Sequence, residues 1–251
     1  VQMNMKEEFD RVWKWARTYM YMEDGYNKGY FAWSCKTTGE KNDYGPAPDG
    51  EEFFAMSLFF ASHRWGDGEG IFNYSREAKN ILSACIHNGE KEPIMEPENY
   101  LIRFIPSRKF SDPSYHCAHF YELFGEWANE EDRDFWKKAA KASREYLKKA
   151  CHPETGLAAE YAYYDGTPYE KEQDVFGGRH DWYYSDSYRV IANIGLDYEW
   201  FAADEWNVEN NNKVQKFFME THRGEDFKVY EIDGTVIDQP ALHPVAIIAT
   251  N

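Results

Sequence analysis

EEFFAMSLFFASHRW, residues 51–65, is the stretch that decides the fold. It is apolar on nearly every side of a helix, so we expect a helix that is buried all round. Residues 130–151 carry many charges instead and have one apolar face. That stripe comprises Phe135, Ala139, Ala142, Tyr146 and Leu147. Buried and amphipathic helices in succession, joined by long loops, predict the two helix layers of an α/α barrel; a plain helical bundle, the alternative, normally has shorter loops.

The helical period of apolar side chains extends this pattern to the whole chain. It predicts helices near 6–22, 51–65, 75–87, 114–128, 130–151, 182–203, 207–221 and 239–249. The loops between them are rich in Gly, Pro and Asp, and residues 228–232 favour a strand before the Asp233-Gly234 turn. Because no linker interrupts the chain, we expect residues 1–251 to form a single all-α domain.

Composition narrows the class of protein. Of the 251 residues, 43% are hydrophobic and 18% are aromatic, which indicates a globular chain with a core of large rings, a cleft that stacks ligand rings, or both. The net charge of −16 argues against nucleic acid and anionic membranes as partners. No apolar run is long enough to cross a membrane.

The four cysteines, Cys35, Cys85, Cys117 and Cys151, show no spacing typical of a metal or dithiol site. No metal and no other cofactor is predicted, and cysteines so scattered favour reduced thiols and a cytoplasmic location. The chain opens at Val1, almost directly before a helix, so we expect an internal piece of a longer chain.

HDWYYSDSYR, residues 180–189, is the first candidate site. Asp186 and Arg189 are three residues apart, so they can form a surface ion pair on a helix. Alternatively, Asp186 is a catalytic base that faces a sugar-binding cleft. The surrounding tyrosines leave little solvated face, and desolvation together with the Arg189 charge would then tune the ionisation of Asp186.

Two further segments carry candidate residues. In APDGEEFF, residues 47–54, Asp49 can cap the helix in a capping box with Glu52, bind sugar hydroxyls at the helix mouth, or do both. In DPSYHCAHFY, residues 112–121, the two histidines lack a further ligand at a spacing that suits a metal. Tyr121 at the end of that segment is typical of a core tyrosine.

These segments resemble glycoside hydrolase family 8. The 47–51 segment is similar to the family signature A-[ST]-D-[AG]-D before an apolar helix, and departs from it at Pro48 and Glu51. Further segments resemble the reducing-end-xylose-releasing exo-oligoxylanases of that family. They are GYFAWSC at 29–35, GPAPDGEE at 45–52, HRWGDGEG at 63–70 and LHP at 242–244.

The resemblance implies an (α/α)6 barrel, incomplete in this chain, and an inverting hydrolysis by an acid and a base. Asp186 matches the family's general base, Arg189 would orient it, and Tyr121 matches the tyrosine that holds the attacking water. The family's general acid is a Glu in a Glu-Gly-x-Ser-Tyr-Gly segment, which these 251 residues lack. We therefore expect this piece alone to be inactive.

For the substrate, the resemblance implies short xylooligosaccharides that lose xylose from the reducing end. Asp49 matches the acidic residue that binds the sugar at the cleavage point, and Trp33 matches a stacking aromatic. His243 matches the residue that reads the reducing-end hydroxyl, in a loop that blocks longer chains. The alternatives are an endo-acting xylanase or glucanase of the family and a non-catalytic carbohydrate-binding module.

Overall fold

The computed structural model describes residues 1–88, 92–170, 177–221 and 226–251. It contains two compact units, one of Val1–Ser107 with Glu122–Lys137 and one of Arg108–Tyr121 with Lys138–Asn251. Eight α-helices occur within the described ranges, and each overlaps one of the predicted helices. They are α1 (Lys6–Tyr19), α2 (Pro48–Trp65), α3 (Tyr74–His87), α4 (Ala118–Trp127), α5 (Arg133–Ala150), α6 (Arg189–Phe201), α7 (Trp206–Thr221) and α8 (Pro244–Thr250).

Three short strands form an antiparallel sheet in the second unit. They are β1 (Trp182–Tyr183), β2 (Lys228–Glu231) and β3 (Val236–Pro240), in the order β1-β2-β3. The predicted strand at 228–232 is confirmed by β2. Tyr183 lies opposite Tyr230, and β2 turns into β3 at Gly234, whose φ of +96° suits glycine.

Four predicted helices begin later than expected: α4 and α5 by three or four residues, each after a 3-10 turn, and α6 and α8 by five or more. The helix predicted at 182–203 begins at Arg189, because residues 182–183 pair with β2 and Ser185–Tyr188 form a 3-10 turn. The helix predicted at 239–249 begins at Pro244, because β3 uses the preceding residues and proline suits the first position of a helix. In these last two cases strand pairing overrides the helical period, with a distant segment for β1 and with the adjacent β2 for β3.

The α2 helix and an aromatic cluster form the core of the first unit. Ala55, Leu58 and Ala61 of α2 are completely buried. The rings of Phe31 and Phe54 have centroids 4.6 Å apart, and Trp13 packs against both. The prediction that α2 is buried on every side is wrong at Phe53, which is 52% exposed. Apolar composition permits burial, but the neighbouring elements decide which faces are covered.

The α5 helix is amphipathic, as predicted. Its buried stripe comprises Trp136, Ala139, Ala140, Ser143, Tyr146, Leu147 and Ala150. The predicted members Phe135 and Ala142 are only partly buried, because the stripe centres on Trp136 and continues at steps of three and four residues. The buried face of α5 is therefore rotated slightly from the apolar face that its sequence predicted.

A cluster of apolar side chains holds the second unit together. It comprises Leu157, Tyr183, Ile191, Val214, Phe218, Phe227, Tyr230 and Ile247. Tyr183 of β1 and Ile191 of α6 are both in this cluster, and the Ser185–Tyr188 turn connects them. The segment that carries Asp186 is therefore anchored in the core at each end.

Many aromatic side chains are in the core, as one of the two compositional interpretations predicted. Trp33 and Tyr44 differ, since they are 61% and 70% exposed. Exposed flat rings of this kind are available to stack on a ligand.

No helix in the described ranges has the length and apolar character needed to span a membrane.

Candidate active site

The Ser185–Tyr188 turn is fixed by several local features. Ser185 has a φ of +41°, in the left-handed region that residues other than glycine seldom adopt. The backbone N–H of Tyr184 donates to the Oγ of Ser187 at 3.2 Å, and Ser187 is buried. A Cβ on Gly178 would overlap the ring of Tyr184, so a side chain at 178 would displace that ring. Strained backbone of this kind is common at active sites and ligand clamps, where a side chain is held in one orientation.

Asp186 of this turn forms an ion pair with Arg189, the first residue of α6. Their side chains are 30% and 31% exposed, respectively. The two side chains are therefore more exposed to water than the surrounding tyrosines led us to expect. Tyr183 and Tyr184 point into the core, and the 3-10 turn directs Asp186 outward. A carboxylate that is firmly paired yet open to water can accept a proton from a water molecule.

A second carboxylate, Asp112, lies close enough to this ion pair to interact with it electrostatically. Asp112 is buried, and its Oδ1 accepts a hydrogen bond from the N–H of Ser114 at 2.7 Å. Burial raises the pKa of Asp112 well above its usual range, the nearby Asp186 raises it further, and Ser114 and Arg189 lower it. The sequence could not predict the proximity of Asp112 to Asp186, because it depends on the tertiary fold.

His116 has a structural role in the same unit. Its ring nitrogens lie 2.8 Å from the Oγ of Ser111 and 2.9 Å from the Oγ of Ser143, and its ring stacks on Tyr146. Burial lowers the pKa of His116 to about 3, so the ring is neutral at pH 7. Within the described ranges, no three His, Cys, Asp or Glu side chains are grouped so that they could hold a metal ion.

Tyr121 and His243 complete the predicted residues of the second unit. Tyr121 lies in the first turn of α4 and is completely buried. His243 is exposed and directly precedes α8. Its ring contacts Tyr188 edge-on, with centroids 5.8 Å apart and planes at 76°. The structure thus brings His243 to the turn that carries Asp186 and precedes Arg189.

Trp33 and Asp49 lie in the first unit. The capping-box interpretation of Asp49 is wrong, because Ala47 is the N-cap and Pro48 takes the first helical position. Asp49 is the second residue of α2, where a negative charge favours the helix N-terminus. Its Oδ1 accepts a hydrogen bond from the N–H of Gly50 at 3.0 Å.

Glu51 connects the two segments that carry Trp33 and Asp49. Glu51 is 1% exposed, and its carboxyl Oε1 accepts a hydrogen bond from the N–H of Phe31 at 2.7 Å. Burial raises the pKa of Glu51 from 4.5 to about 8, although the hydrogen bond from Phe31 lowers it. Glu51 is therefore mostly protonated at pH 7 and fixes the start of α2 next to the Trp33 segment.

Replacing Glu51 by Gln should make stability less dependent on pH. Because the pKa is higher in the folded state, the stability that this proton contributes is complete below pH 4.5 and is lost as pH rises to about 8. In that range, Glu51→Gln should remove up to about 1.4 kcal/mol per pH unit from the decline in unfolding free energy. Urea denaturation of both proteins between pH 5 and pH 8.5 measures the difference, and parallel curves would contradict the prediction.

Comparison with known proteins identifies the family, since the sequence model of Glycosyl hydrolases family 8 matches residues 1–235. The chain belongs to this family. It is 60% identical over its whole length to the reducing end xylose-releasing exo-oligoxylanase of Halalkalibacterium halodurans and covers 64% of that protein. It is 55% identical to the reducing-end xylose-releasing exo-oligoxylanase Rex8A of Paenibacillus barcinonensis and covers 66% of it.

A solved structure of Rex8A in complex with xylose matches all of the chain at 55% identity, with a TM-score of 0.94. The chain spans 66% of that structure. The predicted fold class, the all-α (α/α)6 barrel of family 8, is confirmed for the part that the chain spans. The all-α fold class did not predict the three-stranded sheet, although residues 228–232 were predicted to form one of its strands.

Proposed function

We propose that this protein is an inverting glycoside hydrolase that releases xylose from the reducing end of short xylooligosaccharides. The observation that carries the proposal is the Ser185–Tyr188 turn, which holds the Asp186–Arg189 ion pair and contacts His243. One turn therefore carries the proposed base and contacts the residue proposed to read the reducing end. The names of the relatives support the same substrate and the same bond.

In the proposed reaction, Asp186 removes a proton from a water molecule. The water oxygen forms a bond to the anomeric carbon while the bond to the leaving oxygen breaks on the opposite face, which inverts the configuration. Arg189 orients the carboxylate through their ion pair, and Tyr121 is proposed to hold the water. A separate acid protonates the leaving oxygen, and we assign that role to no residue of this chain.

Substrate binding is proposed to involve Trp33 and Asp49, which both lie in the first unit. Trp33 is exposed and can stack on a sugar ring, and Asp49 is proposed to bind the sugar at the cleavage point. Asp49 lies at the first turn of α2, where backbone and charge are held in place. We propose that the two units belong to a single catalytic domain, which is supported by a family match that includes residues of both.

The proposed cellular location and binding partner follow from the cysteines and the net charge. All four cysteines are free thiols, which supports a reducing compartment, and we propose the cytoplasm. The net charge of −16 supports a neutral sugar in preference to a nucleic acid or an anionic membrane as the partner.

Xylotriose and its borohydride-reduced form provide the test of this function. The complete gene product should release xylose from xylotriose and cleave the reduced form far more slowly, because reduction removes the terminal ring that His243 is proposed to read. Product analysis by chromatography measures both rates, and NMR of the first product reports its anomeric configuration. Equal rates on the two substrates, or retained configuration, would refute the proposal; cleavage within longer xylan would favour an endo-acting enzyme.

A further inference from the structure

Tyr188 and His243 come from distant parts of the chain and meet at one contact. Tyr188 is the last residue of the 3-10 turn, between Asp186 and Arg189, and His243 is the N-cap of α8. Their rings are 5.8 Å apart at 76°, an edge-to-face arrangement that is attractive between aromatic rings. The contact therefore joins the proposed base to the proposed specificity residue.

The backbone at His243 is held by α8. The carbonyl of His243 accepts a hydrogen bond from the N–H of Ile247 at 3.1 Å, and Ile247 is 5% exposed in the core of the second unit. The imidazole itself is exposed. Tyr184, Tyr188 and Leu242 line the same small pocket as His243.

We propose that Tyr188 is a positioning residue that orients the His243 ring toward the reducing-end hydroxyl. This inference rests on the proposed function. An exposed histidine has several rotamers, and a neighbouring ring that favours one of them reduces the entropy lost when a ligand binds. Tyr188 thereby contributes to discrimination between substrate ends, although it is not itself proposed to bind the sugar.

The inference predicts that replacing Tyr188 changes the preference of the enzyme for xylotriose over reduced xylotriose. In the complete gene product, Tyr188→Ala should lower the ratio of kcat/KM for xylotriose to kcat/KM for reduced xylotriose by about 10-fold, the upper end for one aromatic contact. Tyr188→Phe keeps the ring and should keep the ratio. Tyr188→Leu keeps apolar bulk without a ring, so it should behave like Tyr188→Ala and still be informative if the alanine variant folds poorly.

A double-mutant cycle distinguishes positioning from a separate effect. His243→Ala should itself lower the ratio, and adding Tyr188→Ala to it should lower the ratio no further, because the ring to be positioned is gone. Additive effects would overturn the inference. An unchanged ratio with equally reduced rates on both substrates would overturn it as well, since Tyr188 would then support only the base.

The two proposals fail in different ways. If the unmodified protein cleaves both substrates equally, the proposed function is wrong, and with it the reducing-end role of His243. If the unmodified protein discriminates between them and both Tyr188→Ala and Tyr188→Leu discriminate equally well, only the positioning role is wrong.

Discussion

Asp186→Asn should lower kcat of the complete gene product by about 1000-fold while leaving substrate binding nearly unchanged. The amide has the size of the carboxylate, but it cannot accept the proton of the attacking water. The Arg189 guanidinium can still donate to the remaining oxygen, so the turn should keep its shape. Initial rates of xylose release and calorimetric titration with xylotriose measure the two quantities.

Asp181 provides a matched control for this experiment. It lies five residues before Asp186 and also pairs with an arginine, since Arg179 Nε donates to its Oδ1 at 2.8 Å. Asp181→Asn should leave kcat close to the unmodified value, because we assign no part of the reaction to Asp181. If Asp186→Asn retains kcat within tenfold, or if the two variants lose activity equally, Asp186 is not the base.

Arg144→Met should lower the unfolding free energy by about 3–5 kcal/mol, because it leaves a buried carboxylate without its cation. Arg144 donates from Nε and Nη2 to the two oxygens of Asp197 at 2.8 and 2.7 Å, and Asp197 is 3% exposed. Asn207 donates to the same carboxylate at 2.9 Å. The network links α5, α6 and α7, so its loss should also loosen their packing. Chemical denaturation monitored by circular dichroism gives the change.

Lys148 offers the comparison on the same helix. It pairs with Asp204 and Glu145, but its side chain is 29% exposed, and water solvates the partners after the pair is lost. Lys148→Met should therefore cost less than about 1 kcal/mol. Replacing Asp197 by Asn in the Arg144→Met background should recover part of the loss, because the buried charge is removed. Similar losses of unfolding free energy for Arg144→Met and Lys148→Met would contradict the prediction, because burial would then not determine how much each ion pair stabilises the fold.

The helices could be predicted because their information is local. A helical period in α5, or an apolar run such as α2, is visible in the sequence itself. The start of α6 could not be placed, because Trp182 and Tyr183 have the composition of a helix as well as that of a strand. Their pairing with β2 depends on a segment more than forty residues away.

The site could be predicted only in part, for the same reason. The spacing of Asp186 and Arg189 predicted their ion pair, and the structure shows that pair with both side chains half-buried. Nothing local could predict that Asp112 interacts with Asp186 or that Tyr188 meets His243. The resemblance to family 8 named His243, but the neighbour that touches its ring emerges only from the folded chain.

The close approach of Gly178 to Tyr184 has a consequence for how this sequence can vary. Since a Cβ at position 178 would overlap the ring of Tyr184, a side chain there requires that ring to shift or to be replaced by a smaller side chain. A lineage that first shrinks the residue at 184 would pass through an intermediate with a cavity beside the strained Ser185. We therefore expect the two positions to covary among homologues, and a library that diversifies this loop should leave Gly178 unchanged or vary both positions together.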